Sequence, residues 1–183
     1  MKLLTLAPLA LALVLTGATT ASIAQVTVGG APMLASKDIV DNAVNSADHT
    51  TLVAAVKAAD LVGTLKGPGP FTVFAPTNAA FAALPAGTVD GLLKPENKPM
   101  LTKVLTYHVV PGRLDAAALQ TLIAADGGKA MLKTAAGGTL KATASGPMVM
   151  LTDERGGMAH VTIADVTQSN GVIHVVDTVL MPQ

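Results

Sequence analysis

Histidines at positions 49, 108, 160 and 174, two glutamates and a scatter of serines and aspartates are the groups in this 183-residue chain that could do chemistry. A zinc centre needs three imidazoles, or two and a carboxylate, converging on one point. No His-Glu-x-x-His run occurs, and Glu96 and Glu154 are the chain's only glutamates. Ser145, in Ala144-Ser145-Gly146-Pro147, lacks the Gly-x-Ser-x-Gly turn that exposes a nucleophilic hydroxyl. Gly127-Gly128-Lys129-Ala130 lacks both the first glycine and the hydroxyl residue of a phosphate-binding loop. Asp153-Glu154-Arg155 reads as a charged turn, and cysteine is absent. These residue types and spacings predict no catalytic residue, no metal site and no cofactor, so the chain is expected not to be an enzyme.

The histidines instead have structural contexts. His108 lies between Tyr107 and Val109 in a strand-like run, and His174 alternates in phase with Val172, Val176 and Leu180. Both are expected to be partly buried, neutral and hydrogen-bonded to backbone. His160 alternates with Val161 and Ile163, which puts it with Thr162 on a polar face, and His49 at a helix start is expected in solvent.

Those side chains need elements to hold them. Ile39, Val40, Ala43, Val44 and Ala47 make one apolar helical stripe, and Asp48 is a candidate N-cap for a second helix carrying Leu52, Ala55, Val56 and Ala59. After the Gly67-Pro68-Gly69-Pro70 turn, Phe71–Ala75 reads as a strand; Pro76 stops it and Thr77 can cap a short helix bearing Phe81. Pro95 opens a helix whose stripe is Met100, Leu101, Val104 and Leu105; Tyr107–Val110 follows as a strand, and Leu114–Ile123 as a weaker helix. Beyond it the period changes. Ala130–Thr134, Thr139–Thr143, Met148–Thr152, Ala159–Ile163 and Val172–Leu180 are strand-like runs between glycine turns. Helices first and strands last predicts an α+β fold with an antiparallel or mixed sheet.

Composition agrees. Half the residues are hydrophobic and 13% are charged, which favours a packed core over disorder. Net charge is zero and no basic run occurs, which argues against a nucleic-acid partner, since phosphate binding concentrates Lys and Arg. Residues 1–24 carry Lys2, the apolar run Leu3–Leu15 and small residues at Ser22 and Ala24, the plan of a secretory signal cleaved before Gln25. That run is short of the roughly 20 residues a membrane span requires, so no stable span is expected after cleavage. A secreted or periplasmic location follows. Residues 25–36, with Gly29-Gly30 and Pro32, read as a flexible lead-in, and residues 37–183 as one domain.

Three segments resemble the fasciclin (FAS1) domain family, and specifically its small secreted bacterial single-domain members. They are Thr72-Val73-Phe74-Ala75-Pro76-Thr77-Asn78-Ala79-Ala80-Phe81 followed by Leu84-Pro85, Leu105-Thr106-Tyr107-His108-Val109-Val110-Pro111-Gly112, and Asn170-Gly171-Val172-Ile173-His174-Val175-Val176-Asp177 through Pro182. The resemblance implies a wedge-shaped β-sandwich of about seven strands with helices packed along one edge. It makes Phe74, Pro76, Thr77, Asn78, Phe81, Asn170, Gly171 and His174 the structural motif. It also implies an exported, non-enzymatic module for adhesion or interaction outside the cell or in the envelope, with a protein or glycan partner of the cell surface or matrix. Asp165-Val166 matches an Asp-Ile pair that contributes to receptor binding in animal members, with Val in place of Ile; it joins Tyr107 and His108 as candidate interaction residues. An alternative, since some members bind pigments, is a carrier of an apolar small molecule in a hydrophobic crevice, which adaptable methionines could line.

Overall fold

The computed structural model describes residues 26–183; the expected signal segment, residues 1–24, lies outside them. The described residues begin with a hairpin, β1 (Thr27–Val28) and β2 (Ala31–Pro32), where a flexible lead-in was expected. Gly29 and Gly30, at φ 58° and 76°, form the two-residue turn whose twist suits a hairpin, and Val28 and Met33 anchor it in the core.

A helical layer follows: α1 (Ile39–Ala43), a 3₁₀ turn (Ala47–His49), α2 (Thr50–Ala58) and α3 (Val62–Leu65). Asp38, not Asp48, caps a helix here, its carboxylate accepting from the Asp41 N–H at 2.8 Å. β3 (Phe71–Pro76) then leads into α4 (Asn78–Ala82), where Thr77 accepts from the Ala80 N–H as expected. α5 (Thr88–Leu92), a 3₁₀ turn at Pro95–Asn97 and α6 (Lys98–Tyr107) precede β4 (Val109–Pro111). Tyr107 and His108 therefore end a helix and do not open a strand. The His108 ring reaches back to the Val104 carbonyl and its N–H to the Leu105 carbonyl, which keeps the helical turn until Val109. α7 (Ala116–Ala125) is capped by Asp115, and the remaining strands are β5 (Lys129–Lys133), β6 (Thr139–Ser145), β7 (Met148–Thr152), β8 (Met158–Gln168) and β9 (Gly171–Val176).

One seven-stranded sheet has the order β4-β3-β9-β8-β7-β6-β5, with β3 and β9 parallel and every other pair antiparallel. Strand β8 is shared: Met158–His160 pairs with β7, and Val161–Gln168 pairs with β9 through two register shifts. Such bulges bend a strand, so the sheet folds over itself into the two leaves of a sandwich. The Ala135 N–H donates to the Val109 carbonyl at 2.7 Å and draws the two ends of the sheet together. This is the α+β fasciclin architecture that the three motifs imply.

Alternation along β3 and β9 divides the interior in two. Val73, Ala75, Ile173 and Val175 face the helical layer, whereas Phe74 and Val176 face the leaf built from β5–β8, together with Tyr107, Leu119, Leu140 and Leu151. Strand β9 is thus buried on both faces, the reason its sequence is a nearly continuous apolar run.

Candidate functional site

The histidines are where the chain's reactive chemistry would reside, and two of them act as internal ties. His108 is 3% exposed; its Nδ1–H donates to the Val104 carbonyl at 2.9 Å, and its Nε2 accepts from the Leu180 N–H at 3.0 Å. Burial pushes its pKa down to about 4, against the opposing pull of the Val104 carbonyl and of the Asp153 charge. His174 uses the opposite nitrogens: Nε2–H donates to the Leu114 carbonyl at 2.7 Å, and Nδ1 accepts from the Asp165 N–H at 3.4 Å. Its ring stacks on Phe74 with centroids 5.6 Å apart, and burial lowers its pKa as well. Each imidazole has both nitrogens engaged and holds α6 or β9 to a distant segment. Neither is free to act as a base on a substrate.

His49 departs from expectation. It is 3% exposed, with Nδ1 2.9 Å from the Ser46 hydroxyl and Nε2 buried without a hydrogen-bond partner among the described residues. Burial pushes its pKa down, and the nearby Ala75 carbonyl opposes this without closing a bond of normal geometry. The sequence carried the signal: positions 49, 52 and 56 share one helical stripe with Leu52 and Val56. His160, by contrast, is half exposed on the polar face, as alternation predicts.

The candidate interaction residues do not form a surface patch. Tyr107, His108 and Val166 are 0%, 3% and 1% exposed, which places them in the interior. The Tyr107 hydroxyl donates to the Thr139 carbonyl and accepts from the Glu154 N–H, and burial pushes its pKa up to about 12. Val166 is turned inward by the bulge at Asp165, whose φ is 59°. Asp165 itself is exposed, and its Oδ1 accepts from the Ala116 N–H at 2.6 Å, beside the Asp115 cap of α7.

The motif residues are hydrogen-bonding hubs and core pieces. Asn170 accepts from the Ile39 N–H at 3.1 Å and donates to the Leu65 and Gly67 carbonyls at 2.7 and 3.1 Å, joining α1 and α3 to the start of β9. Gly171 is required by close approach, because a Cβ there would sit 2.1 Å from the Phe71 carbonyl oxygen. Asn78 accepts from the Thr51 N–H at 2.9 Å and donates to the Ala47 carbonyl at 2.8 Å, fastening α4 to α2. Phe74 and Phe81 are buried on opposite sides of the central layer. Sequence reasoning missed the buried amide pair of Asn42 and Gln168, in which the Asn42 side chain also spans the Leu34 N–H and carbonyl. Asn42 lies on the Ile39 stripe, and Gln168 alternates in phase with Val166, so both were legible as inward-facing polar groups.

Between the helical layer and the β3–β9 layer lies a cavity of about 100 Å³. Leu52, Val56, Leu65, Val73 and Ile173 line it, with His49 the polar member closest to an unmet bond. Among the described residues, no group of three His, Cys, Asp or Glu side chains gathers as a metal site, and no helix is long and apolar enough to cross a membrane.

Comparison with known proteins agrees with this architecture. The Fasciclin domain family matches residues 47–182, and the chain belongs to that family. It is 52% identical over 145 residues to Protein sll1483 of Synechocystis, covering 79% of this chain and 73% of that protein. It is 33% identical over 159 residues to the cell surface glycolipoprotein MPB83 of Mycobacterium bovis, covering 84% of this chain and 64% of that protein. The FAS1 domain pair from the insect cell adhesion molecule Fasciclin I superposes with a TM-score of 0.69 at 16% identity, over 79% of this chain and 51% of that one, and shares the fold. None of these is named as an enzyme.

Proposed function

We propose that this chain is an exported, non-enzymatic module that binds a protein or glycan at the cell exterior or in the envelope. The observation that carries this reading is the use made of its reactive side chains. His108, His174, Tyr107 and Asp153 are consumed by internal bonds, and Asp153 alone accepts from the N–H groups of Arg155, Gly157 and Met181. A catalytic constellation needs a nucleophile or base held free beside a substrate. The relatives support the same reading, one being named as a cell surface glycolipoprotein and the fold neighbour as part of a cell adhesion molecule. Asp165 is the candidate contact that reaches the surface. The test is capture of envelope components from the native source, followed by direct titration of the purified component with the chain and its Asp165→Asn variant. Saturable binding with the partner intact afterwards supports the module; turnover of the partner, or no binding to any envelope component, overturns it.

The cavity favours a second reading, carriage of an apolar small molecule. Its volume of about 100 Å³ suits a molecule of a few heavy atoms and not an extended pigment, which would require the helical layer to part. The chain has one Tyr and no Trp, so visible absorbance from protein purified from its source would report a bound pigment directly. A colourless preparation whose extract yields no bound organic molecule would eliminate carriage.

A further inference from the structure

The outer face of the β5–β8 leaf has an unusual composition. Met131, Met148 and Met158 are 62%, 54% and 56% exposed, and Met150 is on the same face of β7 as Met148. Flexible thioethers in water gain nothing from burial there. Cross-strand register gathers two methionines, Met150 and Met158, beside one histidine. Met150 lies directly opposite His160, while Met158 opposes Thr152 and so stands diagonal to Met150, two residues from His160 on one face. Directly opposed Cβ atoms are about 5 Å apart, and diagonal neighbours about 7 Å, within reach of two methionine side chains converging on one point.

The imidazole is already oriented. His160 Nδ1 is 3.0 Å from Asp177 Oδ2, and the His160 backbone N–H donates to Asp177 Oδ1 at 2.8 Å. A carboxylate accepting from Nδ1–H fixes the tautomer that leaves Nε2 with its lone pair, the arrangement found behind metal-ligating histidines.

We propose that this face is a binding site for a soft monovalent cation, Cu(I) or Ag(I), held by His160 Nε2 and the Sδ atoms of Met150 and Met158. Thioethers are neutral and polarisable, so they ligate soft d¹⁰ ions and leave Mg²⁺ or Ca²⁺ to oxygen donors. Lys129 and Lys141 lie on the same face, opposite Thr143 and Thr152 in register, and their charge further disfavours divalent ions. The chain contains no cysteine, so no thiolate competes for the ion. The site differs from any set of three imidazoles or carboxylates, and its signal is strand register rather than sequence spacing. It is independent of the interaction and carrier readings.

The test is anaerobic titration of the whole chain with Ag(I), and with Cu(I) against a chromophoric chelator, while the methionine methyl groups are followed by NMR. The expected result is one saturable equivalent, with methyl shifts at Met150 and Met158. His160→Ala and Met150→Leu should each weaken binding by about tenfold or more, and Asp177→Asn by about tenfold through loss of the orienting carboxylate. Met131→Leu, on the same leaf but two strands from Met150, should leave it unchanged. Absence of one-equivalent binding overturns the proposal. So does binding that survives in both His160→Ala and Met150→Leu proteins of native circular dichroism, or shifts centred on Met33, Met100 or Met131.

Discussion

His108 and His174 are solutions to one problem, an imidazole placed where water cannot solvate it. A buried, unpaired imidazole carries a desolvation cost of roughly 1–3 kcal/mol, and each ring removes it by donating from one nitrogen and accepting at the other. Truncation therefore leaves backbone groups unpaired as well as a void. His174→Ala should lower the thermal midpoint clearly, whereas His160→Ala, at a half-exposed site, should scarcely move it. Full stability of His174→Ala with loss of partner binding would make β9 part of a binding site. The neutral rings also make stability depend on pH. His108 has a folded pKa of about 4, below the roughly 6.5 of an unfolded histidine, so between those values the unfolded chain binds more protons. Its contribution is complete above about pH 6.5 and is lost as pH falls toward 4, and the lowered values of His174 and His49 act with the same sign. Urea midpoints measured at neutral pH and near pH 5.5 should fall with acid; a midpoint that stays level or rises would contradict burial of these rings.

At the scale of elements, the β3–β9 parallel pair is the layer on which everything else is stacked. Phe74 is fully buried opposite His174 in register, so Phe74→Ala should cost about 3–5 kcal/mol. A urea-derived loss below about 1 kcal/mol would show that the register is wrong. Asn170→Ala removes one acceptor and two donors that join α1 and α3 to β9, and should cost about 1–3 kcal/mol. Proteolysis of that variant should begin in the helical layer; first cuts in β5–β8 would deny Asn170 its role. Much of this was legible, because strand alternation at Phe71–Ala75 and in the last sixty residues, the Thr77 cap and the Asn170-Gly171 turn are local patterns. What failed was long-range. Tyr107 and His108 look like strand residues by β-propensity, but the bond from His108 to Val104 keeps them helical. The strand at β9 ends at Val176 and not Leu180, although Leu180 is fully buried, since its N–H is taken by His108 and not by a ladder partner. Of the pair Asp165-Val166 only Asp165 is exposed, because a one-residue bulge turns Val166 inward, and no sequence period announces a bulge. His49, Asn42 and Gln168 lie in phase with apolar stripes, so their burial follows from position although their polarity points to solvent.

At the scale of the whole molecule, the chain spends its polar chemistry on joining two apolar clusters through a layer buried on both faces. It does so without cysteine, so thermal unfolding should be reversible and identical with and without reductant; a reductant-dependent midpoint would refute stabilisation by packing alone. Such a body presents edges, loops and the methionine-bearing leaf to its surroundings. The claim on which this account turns is that the buried imidazoles are fixed, neutral ties and not working groups. Nitrogen-detected NMR of the histidine rings tests it directly. The account predicts the Nδ1–H tautomer for His108 and the Nε2–H tautomer for His174, with His108 remaining neutral to about pH 4. Protonation of His108 near the ordinary value of about 6.5, or a tautomer opposite to either assignment, would contradict it.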